Sequence, residues 1–255
     1  MAVEPAEVSE DAVLGGRLLL RQPRKGHRVG HDAILLAAAC SARPRERLID
    51  LGAGIGAAGL AVARRVEDLA VTLIEIDPAL AALARENAAR NRLAERVNVA
   101  CLDATASPAA FAAAGLASGE ADHVLMNPPF NAAHNPSPDR NRRLAHAGTD
   151  DTPRRWVEAA ARLLRPAGIL TLIWRADGLG AVFAALADDF GGAAMLPVHP
   201  KPAAPAIRVL VRAAKASRAP LSILPGLVLA DAAGRPTPEA EAVLRDGALL
   251  PLAGD

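Results

Sequence analysis

Residues 47–78 read RLIDLGAGIGAAGLAVARRVEDLAVTLIEIDP, and their pattern decides the fold class. Arg47 to Leu51 is a short apolar run, and glycines at 52, 54 and 56 follow it directly. The run reads as a buried strand, the glycines as a tight loop and Ala57 to Arg65 as a helix that the loop opens. Glycine lets a backbone turn sharply, approach a ligand and bring helix N-terminal amides beside it. Val71 to Ile76 is the next strand, ending in Glu75-Ile76-Asp77-Pro78. An acid about 20 residues beyond such a loop, at the tip of the second strand, is placed to accept from ribose hydroxyls. Glu75 takes that position, because Asp77 can cap a helix from Pro78 to Arg90.

Downstream, Val97 to Leu102 reads as a third strand ending at Asp103, which can accept from an adenine amino group, and Pro108 to Leu116 as a short helix. His123 to Met126 supplies a fourth strand. A helix from Pro153 to Leu164, capped by Asp151 or Thr152 and broken at Pro166-Ala167-Gly168, leads to a strand over Ile169 to Trp174 and a helix over Gly178 to Phe190. Met195 to His199 and Ile207 to Val211 flank a short turn and read as an antiparallel pair. Beyond them come a short strand near Ile223 and a last helix from about Thr237 to Arg245. Alternating strands and helices predict an α/β, doubly wound, Rossmann-like sheet with helices on both faces and a ligand at the carboxyl ends of its strands. Asp50, Gly52, Gly54, Glu75, Asp103 and Asn127 all fall on that edge.

The fourth strand stops abruptly in Asn127-Pro128-Pro129-Phe130, because proline has no ladder N–H and restricts the residue before it. Asn127 and Pro128 offer two carbonyl acceptors and Phe130 a flat apolar face, which suits a planar amine. An amine conjugated to an aromatic base is a poor nucleophile. Two acceptors would favour a pyramidal nitrogen and stabilise the positive charge that develops on attack. The same letters also suit a plain strand-ending turn.

At the amino end, residues up to about Val13 are acidic and predict a tail. Arg17 to Gln22 predicts a strand, with a turn over residues 23–27 and a return at Arg28-Val29. Asp32 can cap a helix over Ala33 to Cys40 or meet a ligand. All but three of the 29 basic residues are arginine, and the long polar segment after Phe130 carries Arg140, Arg142 and Arg143, candidates for an anionic substrate. The net charge of +1 is far from that of a dedicated nucleic-acid binder, so such contacts must use local patches. Aromatics are 2% of residues, with no tyrosine, which makes each one worth locating. Cys40 and Cys101 read as core thiols. With histidines that form no metal-ligand spacing, no metal site is expected. No apolar run approaches a bilayer's thickness and no leader pattern opens the sequence, so a cytoplasmic protein is expected.

The glycine loop, Glu75, Asp103 and Asn127-Pro128-Pro129-Phe130 together resemble the class I S-adenosylmethionine-dependent amino-methyltransferases. The resemblance implies a seven-stranded mixed sheet ending in an antiparallel pair, and it covers roughly residues 17–215. GHDAILLAA at 30–38, the arginine-bearing segment and HPKPAAPAIRVLV at 199–211 are similar to the bacterial tRNA(Val) adenine N6-methyltransferase family. On that resemblance, Gly52, Gly54 and Gly56 would face the methionine part of the cofactor S-adenosylmethionine. Glu75 would face its ribose, Asp103 with Ala104 its adenine, and Asp32 and Asp50 would also belong to the cofactor-binding set. Asn127, Pro128, Pro129 and Phe130 would hold the target base, and the partner would be RNA, a tRNA. The implied organisation is an N-terminal tail, hairpin and capping helix (1–45), a methyltransferase core (46–215) and a C-terminal extension packed on it (216–255). Alternatives stay open from residues alone: the same transfer to a protein glutamine or another RNA or DNA base, a nicotinamide-dependent oxidoreductase, or a cofactor-binding protein without catalysis. The glycines read GxGxG rather than GxGxxG, against the oxidoreductase.

Overall fold

Apolar strands between alanine-rich helices close into one twisted sheet. In the computed structural model, which describes residues 8–25, 28–129 and 151–254, the strands are β1 (Val8–Val13), β2 (Leu18–Pro23), β3 (Arg47–Leu51), β4 (Ala70–Glu75), β5 (Val97–Cys101), β6 (Ala121–Met126), β7 (Leu164–Arg175), β8 (Phe190–His199), β9 (Arg208–Lys215), β10 (Ser222–Ile223) and β11 (Leu227–Val228). The helices are α1 (His31–Ala38), α2 (Ala57–Arg65), α3 (Pro78–Arg90), α4 (Pro108–Ala113), α5 (Thr152–Leu163), α6 (Leu179–Leu186) and α7 (Pro238–Leu244). The main sheet runs β5-β4-β3-β6-β7-β9-β8, parallel except for β9, which is antiparallel to both neighbours. Two-residue strands β10 and β11 extend it by pairing parallel to β8. The expected seven-stranded mixed sheet is therefore present, with two short additions at one edge.

Strand order reverses beside β3, whose neighbours are β4 on one side and β6 on the other. That switch opens a crevice at the carboxyl ends of the strands. Strands covered on both faces must be apolar throughout, and Leu48, Leu51, Leu73, Ile74, Val124 and Leu125 are all buried. One core joins the sheet to α1, α2 and α3 through Leu35, Leu60 and Leu83. The other joins it to α4, α5 and α6 through Phe111, Val157 and Val182. In the C-terminal segment, Leu250 and Leu252 enter the first core, and the Leu250 N–H donates to Ala38 O at 2.9 Å. Among the described residues no helix is long and apolar enough to cross a membrane.

Three local expectations are corrected. The hairpin lies one element earlier: β2 pairs with β1, from Val8↔Pro23 to Val13↔Leu18, so residues 8–13 of the expected acidic tail are its first strand. Only Val8 of β1 is fully buried, and its acids are held by ion pairs, Glu10 with Arg90 at 2.6 Å and Asp11 with Arg28 at 3.0 Å. Asp32 does not cap α1. The cap position is Gly30, and Asp32 sits in the first turn, 2.9 Å from Arg208 Nε. Cys40 is buried as expected, whereas Cys101 is exposed at the end of β5, where the strand runs out of cover.

Candidate functional site

The glycine loop between β3 and α2 is tied to the tip of β4. The Ala53 N–H donates to Ile74 O at 2.8 Å and the Gly54 N–H to Glu75 Oε2 at 2.7 Å. Gly52 and Gly54 both lie at positive φ, +66° and +57°, where L side chains are strained. Their surroundings differ. A Cβ on Gly52 would stand 2.4 Å from Trp156 Cη2, whereas one on Gly54 would meet no described residue within 4 Å. Gly56, also at positive φ, is crowded by Leu73. The protein itself fills the space around Gly52 and Gly56, and Gly54 borders space that no described residue occupies.

Glu75 is buried, with both oxygens engaged: Oε2 by Gly54 and Oε1 by the Asp77 N–H at 2.8 Å. Burial pushes its carboxyl up, opposed by those two N–H groups. Each oxygen keeps a second lone pair for a hydroxyl. Asp77 caps α3 as expected, accepting from the Ala79 and Leu80 N–H groups at 2.7 and 3.2 Å. Asp50, 2% exposed, accepts the Gly59 N–H of α2 at 2.8 Å, and burial raises its pKa to about 7. It braces the junction of loop and helix from beneath.

At the end of β5, Asp103 is exposed and its Oδ1 accepts from Thr105 N at 2.7 Å and Oγ1 at 2.9 Å, while Ala104 is buried. Arg155 of α5 donates to Thr105 Oγ1 at 2.9 Å, extending the chain of bonds. On the other side of the loop, register pairs Leu51 with Met126, so Asn127 leaves β6 level with Gly52 leaving β3. Its Oδ1 is buried and, among the described residues, has no hydrogen-bond partner. Pro128 is buried beside it and Pro129 half-buried. Asp32, through its pair with Arg208, joins the same edge, since Arg208 is in register with Arg175 at the end of β7. Phe130, Arg140, Arg142 and Arg143 lie outside the described residues.

The carboxyl edge thus gathers Gly52, Gly54, Glu75, Asp103, Asn127 and Asp32, with Asp50 one layer below. His123, at the opposite end of β6, packs in its strand as expected, with Nε2 2.9 Å from Glu46 Oε2 and its pKa lowered by burial. Of the arginines on the hairpin and the segment after it, Arg21 pairs with Glu86 and Arg28 with Asp11, and Arg17 donates to Arg245 O at 3.0 Å. Residue-by-residue reading missed Trp156, which backs Gly52, and Arg155. Trp156 is one of only two tryptophans, and that rarity was its one signal.

Comparison with known proteins bears on this edge directly. Residues 27–197 match the family model described as the methyltransferase small domain, a span that begins shortly before α1 and ends within β8. The tRNA1(Val) (adenine(37)-N6)-methyltransferase of Bacteroides thetaiotaomicron is 31% identical over 153 residues, covering 59% of this chain and 60% of that protein. The Porphyromonas gingivalis protein of the same name is 33% identical over 156 residues, 60% of each. The match therefore spans about 60% of the length of these curated relatives. A crystal structure from Agrobacterium tumefaciens, described as a predicted O-methyltransferase, superposes with a TM-score of 0.72 at 31% identity over 86% of this chain and 98% of its own. Sheet order, glycine loop and matched span agree, and the chain belongs to the methyltransferase small domain family.

Proposed function

We propose that this protein binds S-adenosylmethionine at the carboxyl edge and transfers its methyl group to an exocyclic amine of a nucleobase, the 6-amino group of an adenosine in tRNA. The observation that carries the reading is the Asn127 Oδ1, buried, without a partner among the described residues and level with the glycine loop. An unpaired buried acceptor is unfavourable by about 1–3 kcal/mol unless a ligand supplies the donor, and an amino N–H is such a donor.

The residues present fit the cofactor. Open space beside Gly54 admits a ligand against the loop backbone, and Glu75 and Asp103 keep acceptor capacity at successive strand tips for ribose hydroxyls and an adenine amine. Bound there, S-adenosylmethionine supplies an electrophilic methyl. Asn127 Oδ1 and the Pro128 carbonyl would accept from the target amine, orienting its lone pair and stabilising the charge that grows on nitrogen. No strong base is needed, because the amine loses its proton readily once it carries the methyl. The names of the relatives favour tRNA over protein glutamine or other bases as acceptor. A tRNA substrate in turn implies work in the cytoplasm.

The test is transfer of labelled methyl from S-adenosylmethionine to fractionated tRNA, DNA and protein, by wild type and Asn127→Ala. The expected result is label in tRNA as N6-methyladenosine. Asn127→Ala should lower the rate by about 10²-fold or more, the scale for losing a transition-state acceptor, while cofactor affinity stays within about twofold. Label in the protein fraction moves the acceptor to glutamine, and equal loss of binding and transfer makes Asn127 a cofactor or folding residue.

A further inference from the structure

Helix α3 and its C-cap carry two buried asparagines four residues apart, Asn87 and Asn91, on the face that meets strand β2. Asn87 Oδ1 accepts the Arg21 N–H at 2.7 Å, and its Nδ2 donates to Arg21 O at 3.0 Å. Asn91 repeats the pattern on Leu19, accepting its N–H at 3.0 Å and donating to its carbonyl at 2.7 Å. The match is geometric. Four helical residues rise about 6 Å and two strand residues about 6.8 Å, so the two carboxamides fall in step with alternate peptide groups of the strand.

The remaining N–H groups separate the two asparagines. Asn91 spends its second on its own helix, at Asn87 O (2.8 Å), whereas Asn87 donates its second to Ile55 O at 3.1 Å. Ile55 stands in the glycine loop between Gly54, which borders open space, and Gly56. Asn87 is fully buried, with its oxygen and both N–H groups engaged. Its orientation is fixed, because a flipped amide would set N–H against N–H and oxygen against two carbonyls.

We propose that Asn87 is a positioning residue for cofactor binding, holding the Ile55 peptide of the glycine loop in place and coupling the loop to docking of the N-terminal hairpin. The inference rests on the reading that this loop holds S-adenosylmethionine. Without Asn87 the Ile55 carbonyl loses its anchor, and a ligand must order the loop before it can bind. Coupling of this kind is reciprocal: a ligand that settles the loop also settles the hairpin.

Asn91→Ala is the matched control, since it removes an equivalent grip on β2 and leaves the loop untouched. Binding of S-adenosylhomocysteine would be measured by calorimetry on wild type, Asn87→Ala and Asn91→Ala, at a temperature where each is folded. About tenfold weaker binding is expected for Asn87→Ala, the scale of one lost buried hydrogen bond, and less than about twofold for Asn91→Ala. In turnover, KM for the cofactor should rise in Asn87→Ala with kcat little changed. Hydrogen exchange on the wild type alone gives a readout independent of variant folding: saturating S-adenosylhomocysteine should slow exchange at the Arg21 amide as well as in the loop. Equal affinities of the two variants, or loop protection with no change at Arg21, would overturn the inference and leave the cofactor reading standing. No saturable binding by wild type would remove both.

Discussion

Glu75 accepts the Gly54 N–H at 2.7 Å, making the tip of β4 and the middle of the glycine loop one hydrogen-bonded unit. The same carboxylate takes the Asp77 N–H at the start of α3, so one side chain organises three segments. A ligand hydroxyl reaching Glu75 would meet an acceptor already fixed in place.

Replacement of Glu75 should therefore disturb more than a ligand contact. Glu75→Ala leaves two backbone N–H groups unpaired and should lower stability by about 2–3 kcal/mol in urea denaturation, with cofactor affinity down by about 10²-fold. Glu75→Gln keeps one acceptor oxygen and should fall between. A glutamine variant indistinguishable from wild type in both measurements would show that the paired N–H contacts carry nothing.

Gly52→Ala and Gly54→Ala make a second contrast. Both accept strain at positive φ, on the order of 1–2 kcal/mol. Only Gly52→Ala also collides with Trp156, so it should unfold at markedly lower denaturant, and Trp156→Phe should not restore the loss, because the phenyl ring still fills part of that space. Gly54→Ala should remain well folded yet bind S-adenosylhomocysteine weakly, because its methyl enters the open side of the loop. Thermal melts paired with calorimetry separate the two losses.

Asp50 gives stability a pH signature. Burial raises its carboxyl to about 7 in the folded protein, above the ordinary value of 3.8. A raised folded pKa means that the stabilising contribution is complete below about pH 4 and is lost as pH rises through 7. Asp50→Asn stays neutral and keeps an oxygen for the Gly59 N–H. Wild type should accordingly lose on the order of 2–4 kcal/mol relative to Asp50→Asn between pH 4.5 and 8.5, at about 1.4 kcal/mol per unit. Parallel stability curves for the two proteins across that range would refute this.

The central alternation was legible because β3, β4 and the helices between carry local signals: apolar runs, glycine triplet, proline-led caps. Asn127 was legible because two prolines fix where its strand ends. The N-terminal hairpin was not, since the acidic residues of β1 hide its period: only Val8 is buried, and Glu10 and Asp11 pair with Arg90 and Arg28 instead. For Asp32 the capping option was wrong, because its partner Arg208 lies 176 residues away. The asparagines of α3 carry no local signature at all. Polar letters inside a helix look like a solvated face until the strand that they grip is in place.

That grip has one more effect. A two-stranded ribbon normally leaves two rows of unpaired peptide groups, each a template on which another chain can add itself. On β2, Asn87 and Asn91 occupy the groups of residues 21 and 19, and the outer row is closed by side chains instead of a third strand. The appendage is thereby fastened to the core, and the β2 edge of the ribbon is closed to a further strand by the same two carboxamides.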